Sequence, residues 1–183
     1  QSAAWTNVER AINNLRTAKA MSPEALRRLP RAQITQLIHP CGYYNVKAKK
    51  LKALVEWLKA YSNLDIASLA KVDTTTLRNE LLSVYGIGEE TADSILLYAF
   101  GKPVFVIDAY TRRILNRLGL ASRCKSYADF QSLFMVNLAR DAALFNEYHA
   151  LFVRLGKETC KKTPQCDECC LEGMCRHSEY TNQ

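Results

Sequence analysis

The sequence lacks any long hydrophobic run. None of its 183 residues lies in a stretch that approaches the roughly 20 apolar residues of a membrane span, so we expect no membrane partner. It also lacks internal repeats and low-complexity segments. Its composition, 48% hydrophobic and 23% charged, is that of a globular protein large enough for one domain or two small lobes.

Acidic residues are in short supply. The chain has 18 Asp and Glu against 25 Lys and Arg, which gives a formal net charge of +7, and its pI is about 9.1. This imbalance favours a polyanionic partner, nucleic acid above all. The alternative is a basic protein without such a partner.

Strand-like sequence is nearly absent. Only the run from Pro103 to Ile107 looks extended, and alone it cannot make a sheet. Elsewhere apolar residues recur with helical spacing, and Ser22 and Asp73 have the character of helix N-caps. We predict an all-α protein of about nine short helices, with core-facing stripes that include Leu51, Leu54, Val55 and Leu58; Ile95, Leu96, Ala99 and Phe100; and Tyr148, Leu151, Phe152 and Leu155.

Histidine is scarce too, and His39, His149 and His177 share no metal-ligand spacing, so we assign them no role. Cysteine is unevenly placed, because five of the seven cysteines lie between Cys160 and Cys175. An odd, clustered set is a poor disulfide framework and a good set of metal ligands, which indicates a reducing intracellular compartment. The spacing alone leaves an iron–sulfur cluster, zinc or unliganded thiols open; the candidate ligands are Cys160, Cys166, Cys169 and Cys175.

Two further features suggest chemistry. The backbone of Gly86-Ile87-Gly88, at the start of a helical pattern, can approach a phosphate closely; the alternative is a plain helix–helix turn. Asp108, directly after the extended run, is either a helix N-cap or a reactive carboxylate, and it can be both.

Four segments in order resemble a known family. LLSVYGIGEETADSIL, FVIDAYTRRILNRLG, CGYYNVKAKKLK and the four-cysteine tail resemble the endonuclease III (HhH-GPD) superfamily of DNA glycosylases. Within it, the residues from Gly86 to Leu96 and from Pro40 to Ala48 look most like the 3-methyladenine DNA glycosylase branch.

The resemblance implies a fold. It is a two-lobed helical glycosylase with residues 21–120 as the lobe carrying the helix–hairpin–helix, and residues 1–20 plus 121–183 as the other. Residues 160–175 would be a C-terminal [4Fe–4S] cluster loop, with zinc as the alternative, although the first cysteine gap is five residues where endonuclease III itself has six. Because Gln1 is not a natural start, we expect a preceding helical segment of the family outside this chain.

The resemblance also implies site residues. Asp108 would promote loss of the base, the hairpin Gly86, Ile87 and Gly88 would hold a phosphate, and Gln1 and Tyr43 would enter the base stack. Lys47 would face the DNA backbone, with a solvated helix surface as the alternative for it and for Tyr43.

The residue type at position 90 determines which reaction we predict. Endonuclease III has at this position a lysine that forms a Schiff base, and a carboxylate cannot do so. We therefore expect a monofunctional glycosylase, in which Glu90 helps to attract a cationic alkylated purine such as 3-methyladenine. First-turn helix composition is the alternative for Glu90, and the preferred explanation of Glu89.

The expected partner is double-stranded DNA containing a damaged base, bound by a monomer that is cytoplasmic and nucleoid-associated if prokaryotic. Two alternatives stay open. One is an endonuclease III-like glycosylase for oxidised pyrimidines or mismatched uracil or thymine. The other is a non-catalytic helix–hairpin–helix module with a structural metal.

Overall fold

The computed structural model describes residues 3–177, and in this range every regular element is helical, which confirms the predicted all-α class. The chain divides into two compact units, Gln1–Thr91 and Ala92–Gln183; the lobe boundaries expected from the sequence stay a prediction. No helix in the described range is long and apolar enough to cross a membrane. The α-helices of this range are α1 Trp5–Thr17, α2 Pro23–Arg28, α3 Arg31–Leu37, α4 Tyr44–Ser62, α5 Ile66–Leu69, α6 Thr74–Ser83, α7 Glu89–Ser94, α8 Ala109–Arg117, α9 Tyr127–Met135 and α10 Ala142–Glu158.

Shorter helical turns complete the chain. A π-helical segment, Ile95–Ala99, follows α7 directly, and 3₁₀ turns occupy His39–Cys41, Cys166–Glu168 and Glu172–Met174. Segments of π-helix are rare and often lie at functional sites.

The helix starts follow from local sequence. Ser22 Oγ accepts a hydrogen bond from the Ala25 amide at 3.1 Å, and Asp73 Oδ1 accepts one from the Thr75 amide at 2.9 Å. Each cap satisfies an amide that the helix leaves without a partner. Both predicted starts are confirmed.

The first unit is organised around α4, which packs against α2, α3 and α5. Small and branched side chains close this core, because α1 and α3 approach the start of α4 at Ala48, which is fully buried. The buried set is Ala11, Leu15, Ala20, Ile34, Ile38 and Ala48.

The second unit buries the extended run that leads to Asp108. The side chains of residues 104–107 are at most 6% exposed, and α10 packs against both α8 and the π-helical segment. Phe105 stacks on Phe134 with ring centroids 3.7 Å apart. As predicted, this run pairs with no strand in the described range.

The predicted core face of α10 is wrong for two of its four residues, whereas Phe152 packs against the core of the second unit and Leu155 is half-buried. Tyr148 and Leu151 are exposed, and the buried residues of this helix are Phe145, His149 and Gly156. The buried stripe contains a histidine, and it contains a glycine because the ring of Tyr110 lies against Gly156, where a Cβ atom would come within 2.6 Å of it. A buried stripe with so few apolar side chains is not detected from the spacing of hydrophobic residues.

Candidate active site

Asp108 is the N-cap of α8. Its Oδ1 accepts a hydrogen bond from the Thr111 amide at 2.7 Å, and its side chain is only 13% exposed. The capping interpretation is therefore correct, and the cap fixes the direction of the carboxylate and leaves Oδ2 for other contacts.

The backbone before Asp108 is anchored by side chains from α9. The Ile107 amide donates to Tyr127 Oη at 3.2 Å, and Gln131 Nε2 donates to the Phe105 carbonyl at 2.7 Å. Gln131 Nε2 also donates to the buried Asp93 at 2.8 Å. These bonds serve polar groups that an isolated extended run would leave unsatisfied, and they hold the run in place.

His149 lies beside Asp108, although no role was assigned to it from the sequence. Its Nε2 is 3.7 Å from Asp108 Oδ2, and its Nδ1 is 2.5 Å from the hydroxyl of Tyr98 in the π-helical segment. Burial lowers the pKa of His149, and the nearby Asp108 carboxylate opposes that shift. Burial, with a further contribution from Asp108, raises the pKa of Tyr98 to about 12. At neutral pH the structure therefore holds a neutral imidazole between a phenol and a carboxylate.

The hairpin from α6 to α7 has left-handed backbone at its first glycine. Gly86 has φ +84°, and a Cβ atom there would lie 2.3 Å from Lys50 Cγ, so the stem of Lys50 runs against the glycine. The Lys49 ammonium lies 4.4 Å from the centre of the Tyr85 ring. Two lysines of α4 thus place positive charge along this turn.

Tyr43 is presented on an unusual backbone. It has φ 47°, follows Gly42 at φ 63° and is 78% exposed. Left-handed backbone is costly for a side chain with a Cβ atom, and such strain is enriched at functional positions. Lys47 contributes by donating to the Cys41 carbonyl at 2.7 Å, which braces the preceding turn.

The remaining predicted contacts are less constrained. Glu90 is exposed in the first turn of α7. Glu89, its neighbour, lies 3.8 Å from Arg78 in an ion pair, which supports a structural role for that residue. Gln1 lies outside the described residues.

The four candidate metal ligands line one small cavity, whereas Cys170 lines a different one. All five are reduced thiols. Burial raises the pKa of Cys169, and repulsion from Cys170, Cys160 and Cys175 adds to that shift. Within residues 3–177 no group of three or more His, Cys, Asp or Glu side chains is arranged to hold a metal ion as it stands. The donor set still fits a thiophilic metal centre, because a bound cation would relieve the repulsion among crowded thiolates.

Two arginines of α8 fasten this cysteine loop. Arg117 Nη1 donates to the Lys161 carbonyl at 2.6 Å and to Cys160 Sγ at 3.1 Å. Arg113 donates to the Gly156 carbonyl at 2.7 Å and to the Cys160 carbonyl at 2.9 Å. The helix that begins at Asp108 therefore also anchors the start of the loop.

Comparisons with known proteins identify the family of this chain. The model of the HhH-GPD superfamily of base excision DNA repair proteins matches residues 1–140. A protein named as a DNA repair glycosylase in Methanocaldococcus jannaschii is 41% identical over 176 residues, which cover 96% of this chain and 80% of that protein.

Two solved structures share the fold at 24% identity. A trapped covalent intermediate of endonuclease III with DNA has a TM-score of 0.84 and covers 99% of this chain and 80% of its own. The 3-methyladenine DNA glycosylase of H. pylori bound to 1,N6-ethenoadenine has a TM-score of 0.74, with 86% and 80% covered.

The all-helical fold is that of the endonuclease III-type DNA glycosylases. The chain belongs to the HhH-GPD superfamily of base excision DNA repair proteins, as the resemblance predicted.

Proposed function

We propose that this chain is a monofunctional DNA glycosylase that removes alkylated purines, such as 3-methyladenine, and leaves an abasic site in an intact strand. The observation that carries the proposal is the Asp108 carboxylate, which is nearly buried and fixed at the start of α8 by the Thr111 amide. Family membership supplies the class of reaction.

The chemistry assigned to Asp108 follows from its charge. A base inside a duplex must be extruded before its N-glycosidic bond can be reached. As that bond breaks, positive charge develops on the sugar, and a fixed carboxylate nearby stabilises it. The same carboxylate can accept a proton from the water that attacks the sugar.

Glu90 supports hydrolysis without strand cleavage. Strand cleavage by β-elimination starts from an imine between the sugar and an amine, and a carboxylate cannot form one. A negative charge at this position also favours a cationic methylated purine over a neutral base. The fold likeness to endonuclease III and to a 3-methyladenine glycosylase does not separate the two substrate classes, so Glu90 carries this choice.

DNA contact is assigned to residues of the first unit, Gln1 among them. The hairpin at Gly86, Ile87 and Gly88 would hold a phosphate through its main chain, in which the Ile87 amide already donates to the Val84 carbonyl at 3.0 Å and closes the turn. Lys49 and Lys50 add charge beside it. Tyr43 would stack with exposed bases, Gln1 would pair with the orphaned partner base, and Lys47 would contact the backbone or only brace the turn. The enzyme would act as a monomer.

The cysteine loop is proposed to hold a [4Fe–4S] cluster through Cys160, Cys166, Cys169 and Cys175, with zinc as the alternative. Such a centre would cross-link the loop and, as iron–sulfur, would supply a one-electron redox couple, with no part in hydrolysis. Arg113 and Arg117 of this chain hold the loop against α8 independently of the metal.

The second candidate is a glycosylase for oxidised pyrimidines or mismatched uracil or thymine. Several relatives named endonuclease III favour it, among them that of Sulfolobus acidocaldarius at 30% identity. It predicts the same dependence on Asp108 with a different base preference.

One experiment separates these candidates. Single-turnover reactions would use end-labelled duplexes with 7-methylguanine, thymine glycol, or uracil opposite guanine, each analysed with and without hot alkali. We expect cleavage of the methylated duplex only after alkali, and none with Asp108→Asn. Excision of thymine glycol or uracil alone would favour the second candidate, and no excision at all would favour a non-catalytic module.

The lyase assignment has its own control. Borohydride should trap no covalent complex with the wild-type chain, whereas Glu90→Lys restores the amine and should give one. A trapped wild-type complex would contradict the role given to Glu90.

A further inference from the structure

The imidazole of His149 joins two groups that are far apart in sequence. Its Nδ1 faces the Tyr98 hydroxyl at 2.5 Å and its Nε2 faces Asp108 Oδ2 at 3.7 Å. Tyr98 comes from the π-helical segment and Asp108 from the start of α8, and both elements pack against α10. A buried polar ring is thus placed where both elements meet its helix.

The contacts select one tautomer of the ring. If Nδ1 carried the proton, the Nε2 lone pair would point at a carboxylate oxygen, and two electron-rich atoms would face each other. If Nε2 carries the proton, the Tyr98 hydroxyl donates to Nδ1 and the Nε2 hydrogen points at Asp108. The second arrangement pairs a donor with an acceptor at both nitrogens.

We propose that His149, fixed by Tyr98 in its Nε2–H tautomer, is a positioning residue that directs an N–H group at Oδ2 of Asp108. The proposal rests on the proposed function, in which Asp108 stabilises the sugar cation. The carboxylate is then held from two sides, by the Thr111 amide on Oδ1 and by His149 on Oδ2.

Within residues 3–177, the buried side-chain polar atoms that lack a hydrogen-bond partner belong to the residues that contact Asp108. In the described part of the chain, two buried side-chain polar atoms lack a hydrogen-bond partner, His149 Nε2 and Thr111 Oγ1. Thr111 is the residue whose amide donates to Asp108. Such atoms are rare in folded proteins and are costly. At 3.7 Å the contact from Nε2 to Oδ2 is longer than a hydrogen bond, and contacts of this kind tighten when substrate closes a site.

The protonation states agree with this geometry. Burial lowers the pKa of His149, so the ring is neutral at pH 7. Tyr98, with its pKa raised to about 12, keeps its proton and remains a donor. From the elements packed against α10, Tyr98 and Asp108 are the titratable groups that face the ring. The negative charge therefore stays on Asp108, where the proposed reaction needs it.

The test begins with a readout that does not depend on activity. Heteronuclear NMR of histidine-labelled protein should show the Nε2–H tautomer for His149 in the wild-type chain and a mixture of tautomers in Tyr98→Phe. An Nδ1–H tautomer in the wild type, or no change in Tyr98→Phe, would overturn the proposal. Because no substrate is added, this result stands even if Asp108 has another function.

Excision kinetics give the second readout. Tyr98→Phe should slow single-turnover excision about tenfold, the effect of weakening one hydrogen bond to a charged group. The acid limb of its pH–rate profile should move, because the donor directed at the reacting carboxylate is partly lost. His149→Leu should show a larger shift, and His149→Gln, which keeps an amide donor, should recover part of the rate.

Tyr148→Phe is the matched control, since it removes a hydroxyl from the same helix beside His149 without touching the pair. Its rate and pH profile should equal those of the wild type. Equal rates with an unshifted profile in Tyr98→Phe would overturn the proposal while leaving the role of Asp108 intact. Loss of activity in Asp108→Asn tests that role separately.

Discussion

The two units present their candidate functional residues in opposite ways. In the first unit, Tyr43 is 78% exposed on a left-handed backbone, and the hairpin offers its main chain at Gly86. In the second unit, Asp108 and His149 are nearly buried, and residues distant in sequence hold them. A surface that meets a polyanion must stay open, whereas a carboxylate that stabilises developing charge is more effective where water is excluded.

This contrast predicts that binding and chemistry can be separated by mutation. Asp108→Asn keeps the shape of the side chain and, because asparagine is a good N-cap, most of the stability of α8. We expect single-turnover excision to fall by about a thousandfold or more, while the affinity for damaged duplex, measured by fluorescence anisotropy, changes little. An equal loss of affinity and rate would contradict the separation.

Gly86→Ala should have the opposite effect and weaken DNA binding without slowing excision. A Cβ atom would lie 2.3 Å from Lys50 Cγ, and the backbone has φ +84°, so the hairpin must distort and Lys50 must move. We expect an affinity about thirtyfold weaker, as for the loss of a backbone contact to a charged phosphate, and a free energy of unfolding about 1–2 kcal/mol lower.

The excision rate with saturating Gly86→Ala should stay close to that of the wild type, because Asp108 is unaffected. Gly88→Ala is the matched comparison for stability, since a Cβ atom there meets nothing within 4 Å and the residue has no positive φ. Equal destabilisation by both substitutions would show that the left-handed turn is not the cause.

Tyr43→Asn should change binding and stability in opposite directions. Loss of the ring should weaken binding about fivefold, at the low end for a base-stacking aromatic. Asparagine tolerates left-handed backbone, so the free energy of unfolding should stay equal or rise by a few tenths of a kcal/mol. Lys19→Asn, at φ 53°, is the control for the backbone effect alone. A large loss of stability in Tyr43→Asn would mean that the tyrosine is structural.

The features predicted from the sequence are those that local contacts decide. The caps at Ser22, Asp73 and Asp108 depend on amides two or three residues away, so their residue types are sufficient evidence. Gly86 of the hairpin is decided locally in the same way, because only glycine adopts φ +84° without cost.

His149, the partner of Asp108, could not be found from local sequence. Its contact with Tyr98 joins residues 51 positions apart, and the contact exists only because α10 packs with Phe145, His149 and Gly156 inward. The predicted stripe of Tyr148, Leu151, Phe152 and Leu155 gave the stronger periodic signal, but Tyr148 and Leu151 are exposed. The sequence offered one sign, a histidine four residues after Phe145, which places both side chains on one face of the helix. The residue type alone does not show whether such a histidine has a functional contact or only packs in the core.

The smallest predicted effect uses the buried ring itself. Burial lowers the pKa of His149 in the folded protein below the ordinary 6.5, so between those two values the unfolded chain binds more protons than the native one. Its contribution to stability is complete above about pH 6.5 and is lost as the pH falls toward the lowered value. Urea unfolding from pH 8 to pH 5 should therefore show a decline in the free energy of unfolding that is shallower in His149→Gln. His39→Gln, which replaces an exposed ring, should follow the wild-type curve. Parallel curves for His149→Gln and the wild type would show that the ring is not held neutral, and the Nε2–H donor assigned to Asp108 would then need a charged imidazole instead.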